Sequence, residues 1–336
     1  MSEGIWYDIN RIRSYNRVLN FVIGARGIGK TFGFKDWAVS DFIETGNQFI
    51  YMRRFKEELI NRKAKEGFFP RALKDKYPEH QLEFKDGAYL VDGRVAGYPM
   101  VLSKAGQEKG VIEYDLVNKV LFDEFIIDKK SYHYLPSETD TFKEAMITIA
   151  RLRFVQFFLF SNSVSWNNPY FVKYGIEQPA DDIEFMKTKS WVVQRPIQSE
   201  YVAVAEQSPL GQLFKDIDNK YFEYAYENKT LRDSADFIEK KSAKARHRFN
   251  ITYMGIKIAV WVDYDLNMVY CCQKFDSNVL VNFVLNSDDH TENTILLSNR
   301  KNSFIKMFVD AFQHSRVRYE NQQTKSLVYD IMKILM

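Results

Sequence analysis

The feature that most constrains the fold is an apolar run that ends in a glycine-rich octapeptide. Residues 17–23 (RVLNFVI) form the run and predict a buried strand, because strands covered on both faces are short, apolar and bounded by turn residues. From Lys30 onward apolar residues recur at helical spacing as far as Gly46, a typical helix stop. The octapeptide between them fits G-x-x-x-x-G-K-[ST] and consists of Gly24, Ala25, Arg26, Gly27, Ile28, Gly29, Lys30 and Thr31.

Such a loop between a strand and a helix is a phosphate-binding motif. Its glycines allow backbone N–H groups to turn inward around phosphate oxygens, and the following helix N-terminus favours the same negative charge. In this pattern Lys30 reaches the terminal phosphates and the Thr31 hydroxyl binds Mg²⁺. The sequence therefore predicts a nucleoside triphosphate site.

A pair of acidic residues, about 90 residues downstream, completes the predicted site. Residues 119–125 read KVLFDEF, an apolar strand that ends in two carboxylates. Asp123 at the strand end is expected to hold Mg²⁺, directly or through water. Glu124 is placed to polarise an attacking water as general base. An adjacent glutamate favours ATP hydrolysis by the extra-strand class of P-loop ATPases over a kinase or a Ras-like GTPase.

Polar residues around a fourth apolar strand, residues 154–160, are further candidates. Asn162 follows that strand and is expected either to contact the γ-phosphate or its water, or simply to form a turn. Arg151 and Arg153 precede it, and either is a candidate to neutralise transition-state charge on the ATP of a neighbouring subunit. The candidates for covering the adenine are Tyr15 and Arg11 or Arg13.

Strands and helices alternate over roughly the first 200 residues, which predicts a parallel sheet. We expect an α/β fold of the P-loop NTPase (ASCE, RecA-like) kind over residues 1–198, with helices on both faces of the sheet. Residues 199–230 are polar and weakly helical, and we assign them to a linker subdomain. Residues 231–336 contain short strands spaced like an antiparallel meander and a basic helical tail from residue 299, so we assign them to a smaller α+β domain.

Composition excludes several other classes of protein. Charged residues make up 27% and hydrophobic residues 46% of the 336 residues, which excludes disordered, collagen-like and coiled-coil chains. No run reaches the roughly 18 apolar residues of a membrane span. The only cysteines are Cys271 and Cys272, too few for a disulfide framework, and the N-terminus lacks the apolar region of a signal peptide. We expect an intracellular protein, and the net charge of +3 does not by itself indicate a nucleic-acid partner.

Six segments, together with the spacing between them, resemble the DNA-packaging ATPases of small phi-29-like podoviruses. They are FVIGARGIGKT (21–31), QFIYMRRFKEEL (48–59), VLFDEF (120–125), FSNSVSWNNPYF (160–171), IEKKS (238–242) and GIKIAVWVD (255–263). The resemblance covers nearly the whole chain. It implies a homo-oligomeric ring, typically a pentamer, at the portal vertex of a procapsid in the host cytoplasm, where ATP drives double-stranded DNA inward.

The resemblance also implies roles for individual residues. Glu124 matches the catalytic glutamate. Arg151 best matches the family's trans-acting arginine, but the local spacing is one residue shorter, so Arg153 stays a candidate. Basic positions that would face a neighbouring site, with a solvated surface as the alternative, are Arg53, Lys56 and Lys109.

DNA contacts are expected from lysines and arginines, because a motor that accepts every sequence must grip phosphates. Lys129 or Lys130, in the loop after the Asp-Glu strand, is the candidate for the pore. A second basic segment would bind DNA, a structural RNA or the portal, and its candidates are Lys240, Lys241, Lys244, Arg246 and Arg248.

The second domain resembles the family's vestigial nuclease of RNase H-like fold. Asp263 and Asp265 follow a predicted strand, and Asp288 and Asp289 lie further along the chain. A two-metal nuclease needs several convergent carboxylates, and turn-forming aspartates explain these residues at least as well, so we expect no cleavage. Two alternatives to a packaging ATPase stay open: a terminase-like motor with an active nuclease, and a DNA- or portal-binding module that uses ATP without turnover.

Overall fold

The computed structural model describes residues 5–59, 67–105, 113–127, 134–135, 137–166, 168–180, 182–230, 236–297 and 302–336. The chain forms two compact units, Met1–Arg232 and Asp233–Met336. Within the described residues, a nine-stranded sheet forms the first unit and a six-stranded sheet the second.

The first unit contains a mixed sheet whose centre is parallel. Its strands are β1 (Leu19–Gly24), β2 (Gln48–Arg53), β3 (Leu82–Lys85), β4 (Ala88–Val91), β5 (Arg94–Val101), β6 (Val117–Asp123), β7 (Gln156–Asn162), β8 (Phe185–Lys187) and β9 (Trp191–Gln194). Their order is β3-β4-β5-β2-β6-β7-β1-β9-β8. The six neighbouring strands β5, β2, β6, β7, β1 and β9 run parallel. Antiparallel hairpins form both edges of the sheet. Because β7 lies between β1 and β6, the sheet has the inserted strand that is expected of the extra-strand class.

Helices cover both faces of this sheet, which confirms the predicted fold class. They are α1 (Asn10–Arg13), α2 (Lys30–Thr45), α3 (Arg71–Lys76), α4 (Glu138–Ala150), α5 (Pro169–Tyr174), α6 (Ser199–Gln207), α7 (Pro209–Ile217) and α8 (Asn219–Tyr226). Helix α2 packs Phe34 and Phe42 against one face of the sheet. Helices α4 and α5 pack Phe142 and Phe171 against the other. Strands with apolar residues on both sides are what such a sandwich requires.

Two Asp-Gly pairs in residues 82–103 predict a hairpin or small meander, and β3–β5 form that meander. Asp86 and Gly87 have φ of +49° and +83°, and Asp92 and Gly93 have +51° and +73°. Two successive positive φ angles are the signature of the tight turns that match strand twist. After β2 the chain forms a single 3₁₀ turn, Lys56–Glu58, and residues 60–66 lie outside the described residues.

Residues 199–230, assigned from the sequence to a linker, form α6, α7 and α8 within the first unit. The Ser208 and Asp218 side chains accept hydrogen bonds from the N–H groups of Gly211 and Tyr221, and so cap α7 and α8. Short polar segments between the helices therefore end one helix and begin the next.

The second unit is a sheet with two helices packed on one face. Its elements are β10 (Arg246–Tyr253), β11 (Ile256–Asp263), β12 (Met268–Cys272), β13 (Asn282–Val284), β14 (Ile295–Leu296), α9 (Ser303–Gln313), β15 (Val317–Tyr319) and α10 (Gln322–Leu335). Strands β10–β12 form the predicted antiparallel meander. The predicted basic tail contributes two helices whose apolar sides, with Phe308 and Ile331, enter the core. In the part of the chain that the structure describes, no helix has both the length and the apolar character to cross a membrane.

Candidate nucleotide site

The glycine-rich loop connects β1 to α2, as the sequence predicts. Gly27 and Gly29 have φ of +80° and +89°, a left-handed conformation that glycine adopts without strain. Gly29 is the N-cap of α2, so the unpaired N–H groups of the first helical turn face the loop. A loop of this shape before a helix is suited to bind phosphate.

The Lys30 ammonium lies inside the loop. Its Nζ donates to the carbonyl oxygens of Gly24 at 3.0 Å and Ala25 at 2.6 Å, and to Asn162 Oδ1 at 3.3 Å. Burial lowers the pKa of Lys30 to about 7, although Asp123 opposes the shift. The side chain is therefore held where it can meet terminal phosphates.

Asp123 lies next to Thr31, as a shared magnesium site would require. The Thr31 hydroxyl donates to both Asp123 carboxylate oxygens, at 3.2 and 3.3 Å. Tyr51 on β2, which the sequence did not single out, donates its hydroxyl to Asp123 Oδ2 at 3.2 Å. Burial raises the pKa of Asp123, while the Arg53 guanidinium opposes that shift. Hydroxyl and carboxylate oxygens are ligands that Mg²⁺ prefers, so this pair fits the ion.

Glu124 follows Asp123 and has a left-handed backbone, with φ of +58°. Its side chain is 60% exposed and its Oε2 accepts a hydrogen bond from Arg53 Nη2 at 2.6 Å. The same Arg53 nitrogen donates to Glu58 at 2.7 Å, and its other terminal nitrogen lies 3.6 Å from Asp123 Oδ2. Although burial alone would lower it, the surrounding acidic groups hold the pKa of Arg53 above its usual value.

Arg53 contacts its own site in the single chain, and the expectation that it faces a neighbouring subunit stays a prediction. Within one chain its guanidinium contacts the two carboxylates of its own site. The reason is geometric, since β2 and β6 are adjacent parallel strands and their carboxyl ends meet at the same edge of the sheet. Asn162 at the end of β7 lies at this edge too, in register with Gly24.

The two candidate trans-acting arginines have different environments. Arg153 donates four hydrogen bonds of 2.6–2.8 Å to the backbone carbonyls of Tyr114, Asp115, Val117 and Ile149. Arg151 is exposed and caps the C-terminus of α4 with φ of +50°. The structure therefore uses Arg153 to fix the backbone around α4 and leaves Arg151 at the surface.

Helices α6 and α8 hold the phosphate loop from the side. The Tyr201 hydroxyl on α6 donates to the Arg26 carbonyl at 2.9 Å. The Arg26 N–H donates to the Ala225 carbonyl of α8 at 2.9 Å, and Asn228 Nδ2 donates to Ile23 O at 3.3 Å. No local pattern in the sequence indicates these contacts, because the partners are far apart along the chain.

The residues expected to cover the adenine are engaged with other partners. Tyr15 packs against Phe185 at 5.0 Å between ring centroids, Arg11 pairs with Glu184 at 2.6 Å, and Arg13 lies over Trp37. The aromatic rings beside the loop are instead Trp6, which is 46% exposed, and Tyr201, with centroids 6.3 Å apart. This pair is a better candidate for contact with a base.

The remaining candidates of the first unit are either exposed or outside the described residues. Lys56 is exposed in the 3₁₀ turn after β2. Lys109, Lys129 and Lys130 lie outside the described residues.

The basic segment of the second unit leads into β10. Lys240, Lys244 and Arg246 are exposed, and Lys244 pairs with Asp265 at 2.9 Å. Lys241 and Arg248 are half-buried over aromatic rings, with Lys241 4.2 Å from the ring centre of Trp261 and Arg248 5.8 Å from that of Tyr264. The exposed cations are therefore the ones accessible to a polyanion.

The acidic residues of the second unit have structural partners. Asp263 accepts hydrogen bonds from the Ser242 hydroxyl and from the N–H groups of Asp265 and Leu266, and the Ser242 bond lowers its pKa. Asp289 accepts from the N–H of Gly255 at 2.9 Å. Among the described residues, no group of three histidine, cysteine or acidic side chains is arranged to hold a metal ion.

Known DNA packaging proteins of podoviruses are similar to this chain over its whole length. The family described as Podovirus DNA encapsidation protein (Gp16) matches residues 1–336. The DNA packaging protein of Bacillus phage phi29 is 32% identical over 335 residues, which cover 99% of this chain and 98% of that protein.

Two solved structures are also similar. The bacteriophage Phi-29 viral genome packaging motor assembly contains a chain with a TM-score of 0.80 and 31% identity, and the match covers 99% of this chain and 100% of that one. The N-terminal domain of the DNA packaging ATPase from bacteriophage phi29 has a TM-score of 0.54 and 35% identity, and covers 58% of this chain and 98% of that one.

Proposed function

The chain belongs to the podovirus DNA encapsidation protein (Gp16) family, and from this membership we propose that it is an ATP-driven motor that moves double-stranded viral DNA into a preformed procapsid. The observation that carries the proposal is the convergence of the phosphate loop, Lys30, Thr31, Asp123 and Glu124 at one edge of the parallel sheet.

We propose ATP as the nucleotide and Mg²⁺ as its ion. Residues 24–31 would surround the phosphates, while Thr31 and Asp123, whose oxygens lie 3.2 Å apart, would hold the ion. Bound Mg²⁺ would offset negative charge on the β- and γ-phosphates. Lys30 and Asn162, which already contact each other, would lie on the γ-phosphate side of the site.

Glu124 is the proposed general base. It must leave Arg53 before it can accept a proton from a water beside the terminal phosphate. The 60% exposure of its side chain gives it room to turn. Arg53 is thereby proposed to act within its own site, where it holds the resting position of the glutamate.

Arg151, rather than Arg153, is the proposed trans-acting arginine. All four hydrogen bonds of the Arg153 guanidinium go to backbone carbonyls, and withdrawing them would disturb α4. Arg151 is exposed, so it can reach the ATP of a neighbouring subunit without breaking such contacts. Lys56, also exposed, is a second group for the neighbouring site, and Lys109 is a third.

The proposed partners are double-stranded DNA, the portal of the procapsid and further copies of this chain in a ring at the portal vertex. A motor assembly of phage phi29 is the similar structure that supports this. We further propose a pentamer, a structural RNA as an additional partner, and 199–230 as the linker between the ATPase domain and residues 231–336. Candidate DNA contacts are Lys129 and Lys130 at the pore and the exposed cations Lys240, Lys244 and Arg246 of the basic segment.

The test is steady-state ATP hydrolysis with and without double-stranded DNA at several protein concentrations. We expect turnover that rises with DNA and more than linearly with protein, since shared sites need assembly. Lys30→Ala should lose nucleotide binding, whereas Glu124→Gln should bind ATP and hydrolyse it at least about 100-fold more slowly. Wild-type turnover by Glu124→Gln would refute the assignment.

Each of the two alternative functions predicts a different result with the same purified protein. Metal-dependent DNA cleavage that Asp263→Asn abolishes would favour a motor with an active nuclease. ATP binding without turnover, even with DNA and procapsid present, would favour an ATP-gated binding module.

A further inference from the structure

Arg53 is the last residue of β2 and Arg54 follows it directly, and the two side chains reach different partners because successive residues of an extended chain point to opposite sides. Arg53 reaches the Glu124 carboxylate. Arg54 is only 3% exposed and makes a two-pronged ion pair with Glu138, from Nε to Oε2 at 2.8 Å and from Nη2 to Oε1 at 2.9 Å. A paired fork of this kind fixes both distance and orientation.

The same Arg54 guanidinium also holds the backbone of the proposed general base. Its Nη1 donates to the Glu124 carbonyl at 3.1 Å and its Nη2 to the Phe125 carbonyl at 2.5 Å. Glu124 has a positive φ of +58°, and such a backbone persists only where the surroundings determine it. Arg54 is therefore one of the contacts that keep Glu124 in this conformation.

Glu138 is the first residue of α4, and both oxygens of its carboxylate accept hydrogen bonds. It is 1% exposed, and besides Arg54 it accepts hydrogen bonds from the N–H of Leu135 and the hydroxyl of Tyr170, both at 2.8 Å. A carboxylate is also favoured at this end of a helix by the helix dipole. The start of α4 is thus fixed to the residues that hold Glu124.

The other end of α4 carries Arg151. The helix runs from Glu138 to Ala150 and Arg151 is its C-cap, about 20 Å from Glu138 at the usual rise per residue. Its side chains pack against the sheet, with the ring of Phe142 5.8 Å from Phe122 and 6.0 Å from Phe157. A helix packed along its length moves as one body, so a shift at Glu138 is passed to Arg151.

We propose that Arg54 and Glu138 are positioning residues that couple the placement of a subunit's own Glu124 to the placement of the Arg151 that it presents to its neighbour. The inference rests on the proposed function, in which Arg151 acts in trans. Through this pair, the state of one site would alter hydrolysis in the next site of the ring.

A second buried ion pair provides a matched control. Lys119, which is fully buried on β6, pairs with Asp41 at 2.5 Å and with the Asn118 side chain at 2.6 Å. Glu138→Gln and Asp41→Asn are both carboxylate-to-amide changes that leave one buried cation without its ionic partner. Only the first touches the connection between Glu124 and α4.

The experiment mixes subunits that are inactive alone. Arg151→Ala subunits keep an intact site but offer no arginine, and Lys30→Ala subunits offer the arginine but have no working site. Mixed rings with DNA should recover ATP turnover. We then add Glu138→Gln or Asp41→Asn to the Lys30→Ala donor, whose own Glu124 can no longer contribute. Recovery should fall by about 10-fold with Glu138→Gln donors and stay unchanged with Asp41→Asn donors.

Equal recovery with both donors would overturn the coupling. Absence of any recovery with the plain Lys30→Ala donor would instead overturn the trans role of Arg151, and so the proposed function. If Glu138→Gln donors do not fold or enter rings, Arg54→Lys decides, because lysine keeps the charge but cannot form the fork. Full recovery with Arg54→Lys donors would then refute the proposal, and a loss of recovery would support it.

Discussion

Glu124, proposed to act in its own site, and Arg151, proposed to act in a neighbouring site, both have backbone angles that non-glycine residues rarely adopt. Their φ angles are +58° and +50°, a conformation that costs about 1–3 kcal/mol. The hydrogen bonds of Arg54 to the Glu124 and Phe125 carbonyls and of the Arg151 N–H to Ile147 offset that cost. Tertiary contacts, not local backbone preference, therefore determine the backbone conformation from which these two side chains project.

Tyr51→Phe should weaken the contribution of Mg²⁺ to nucleotide binding. The change removes the hydroxyl that donates to Asp123 Oδ2, and losing a group that orients a metal ligand typically costs 10–100-fold in metal affinity. ADP affinity is measured with a fluorescent nucleotide, once in Mg²⁺ and once in EDTA. We expect the ratio of the two affinities to be about 10-fold smaller in Tyr51→Phe than in the wild-type protein.

Tyr77→Phe is the matched control for this change. Its hydroxyl also donates to a carboxylate, Asp36 Oδ1 at 2.8 Å, but that contact joins α2 to the end of α3. The Mg²⁺ effect should therefore be unchanged, and an equal loss in both variants would contradict the assigned role of Tyr51.

Arg153→Ala and Arg151→Ala should have opposite consequences. Arg153→Ala removes four hydrogen bonds to backbone carbonyls and should lower the free energy of unfolding by about 2–3 kcal/mol. Arg151→Ala should leave that free energy within about 0.5 kcal/mol but reduce DNA-stimulated ATP turnover by about 1000-fold. Chemical denaturation and turnover assays measure both, and the reverse pattern would make Arg153 the trans-acting residue.

At the scale of elements, the phosphate loop is determined by its own sequence but held by helices that the sequence places elsewhere. The motif and the apolar strand before it predict β1, the loop and α2 correctly. Tyr201 lies 175 residues from its partner Arg26, and Glu138 lies 84 residues from Arg54. No local pattern contains such pairs, which is why the sequence predicted neither the contacts of α6 and α8 nor the contact of Arg53 with Glu124 of its own chain.

Gly27→Ala should abolish nucleotide binding. A Cβ at Gly27 would lie 2.8 Å from the Tyr201 hydroxyl, and φ there is +80°, so the loop must shift. Gly87→Ala is the matched control, because its φ is +83° with nothing within 4 Å. It should cost about 1 kcal/mol of stability but leave ADP affinity unchanged in a titration. Normal binding by Gly27→Ala would show that α6 does not constrain the loop.

At the scale of the whole molecule, two units with separate cores share one proposed task. The first holds the proposed nucleotide site, and the second presents the exposed cations Lys240 and Arg246 in the segment that leads into β10. Composition concealed this second feature, because a net charge of +3 averages a local basic segment with acidic residues elsewhere. The structure separates the cations of this segment into two groups. Lys241 and Arg248 lie over aromatic rings, whereas Lys240 and Arg246 are exposed.

Lys240→Ala with Arg246→Ala should weaken DNA binding in a salt-dependent way. Removing one cation that binds a phosphate lowers the slope of log affinity against log salt by about 1, so we expect a decrease of about 2 in binding titrations at several salt concentrations. Lys306→Ala with Lys333→Ala, exposed lysines on α9 and α10, is the control. A decrease in the control but not in the test pair would place the DNA-binding surface on the helices instead.

The central claim, that this chain uses ATP hydrolysis to package DNA, is tested most directly by a nuclease-protection assay. Procapsids of the virus that encodes the chain are mixed with the viral DNA, ATP and either the wild-type protein or Glu124→Gln, and nuclease then removes unpackaged DNA. We predict protected, genome-length DNA with the wild-type protein and none with Glu124→Gln, although that variant still binds ATP. Equal protection by both proteins would contradict the account.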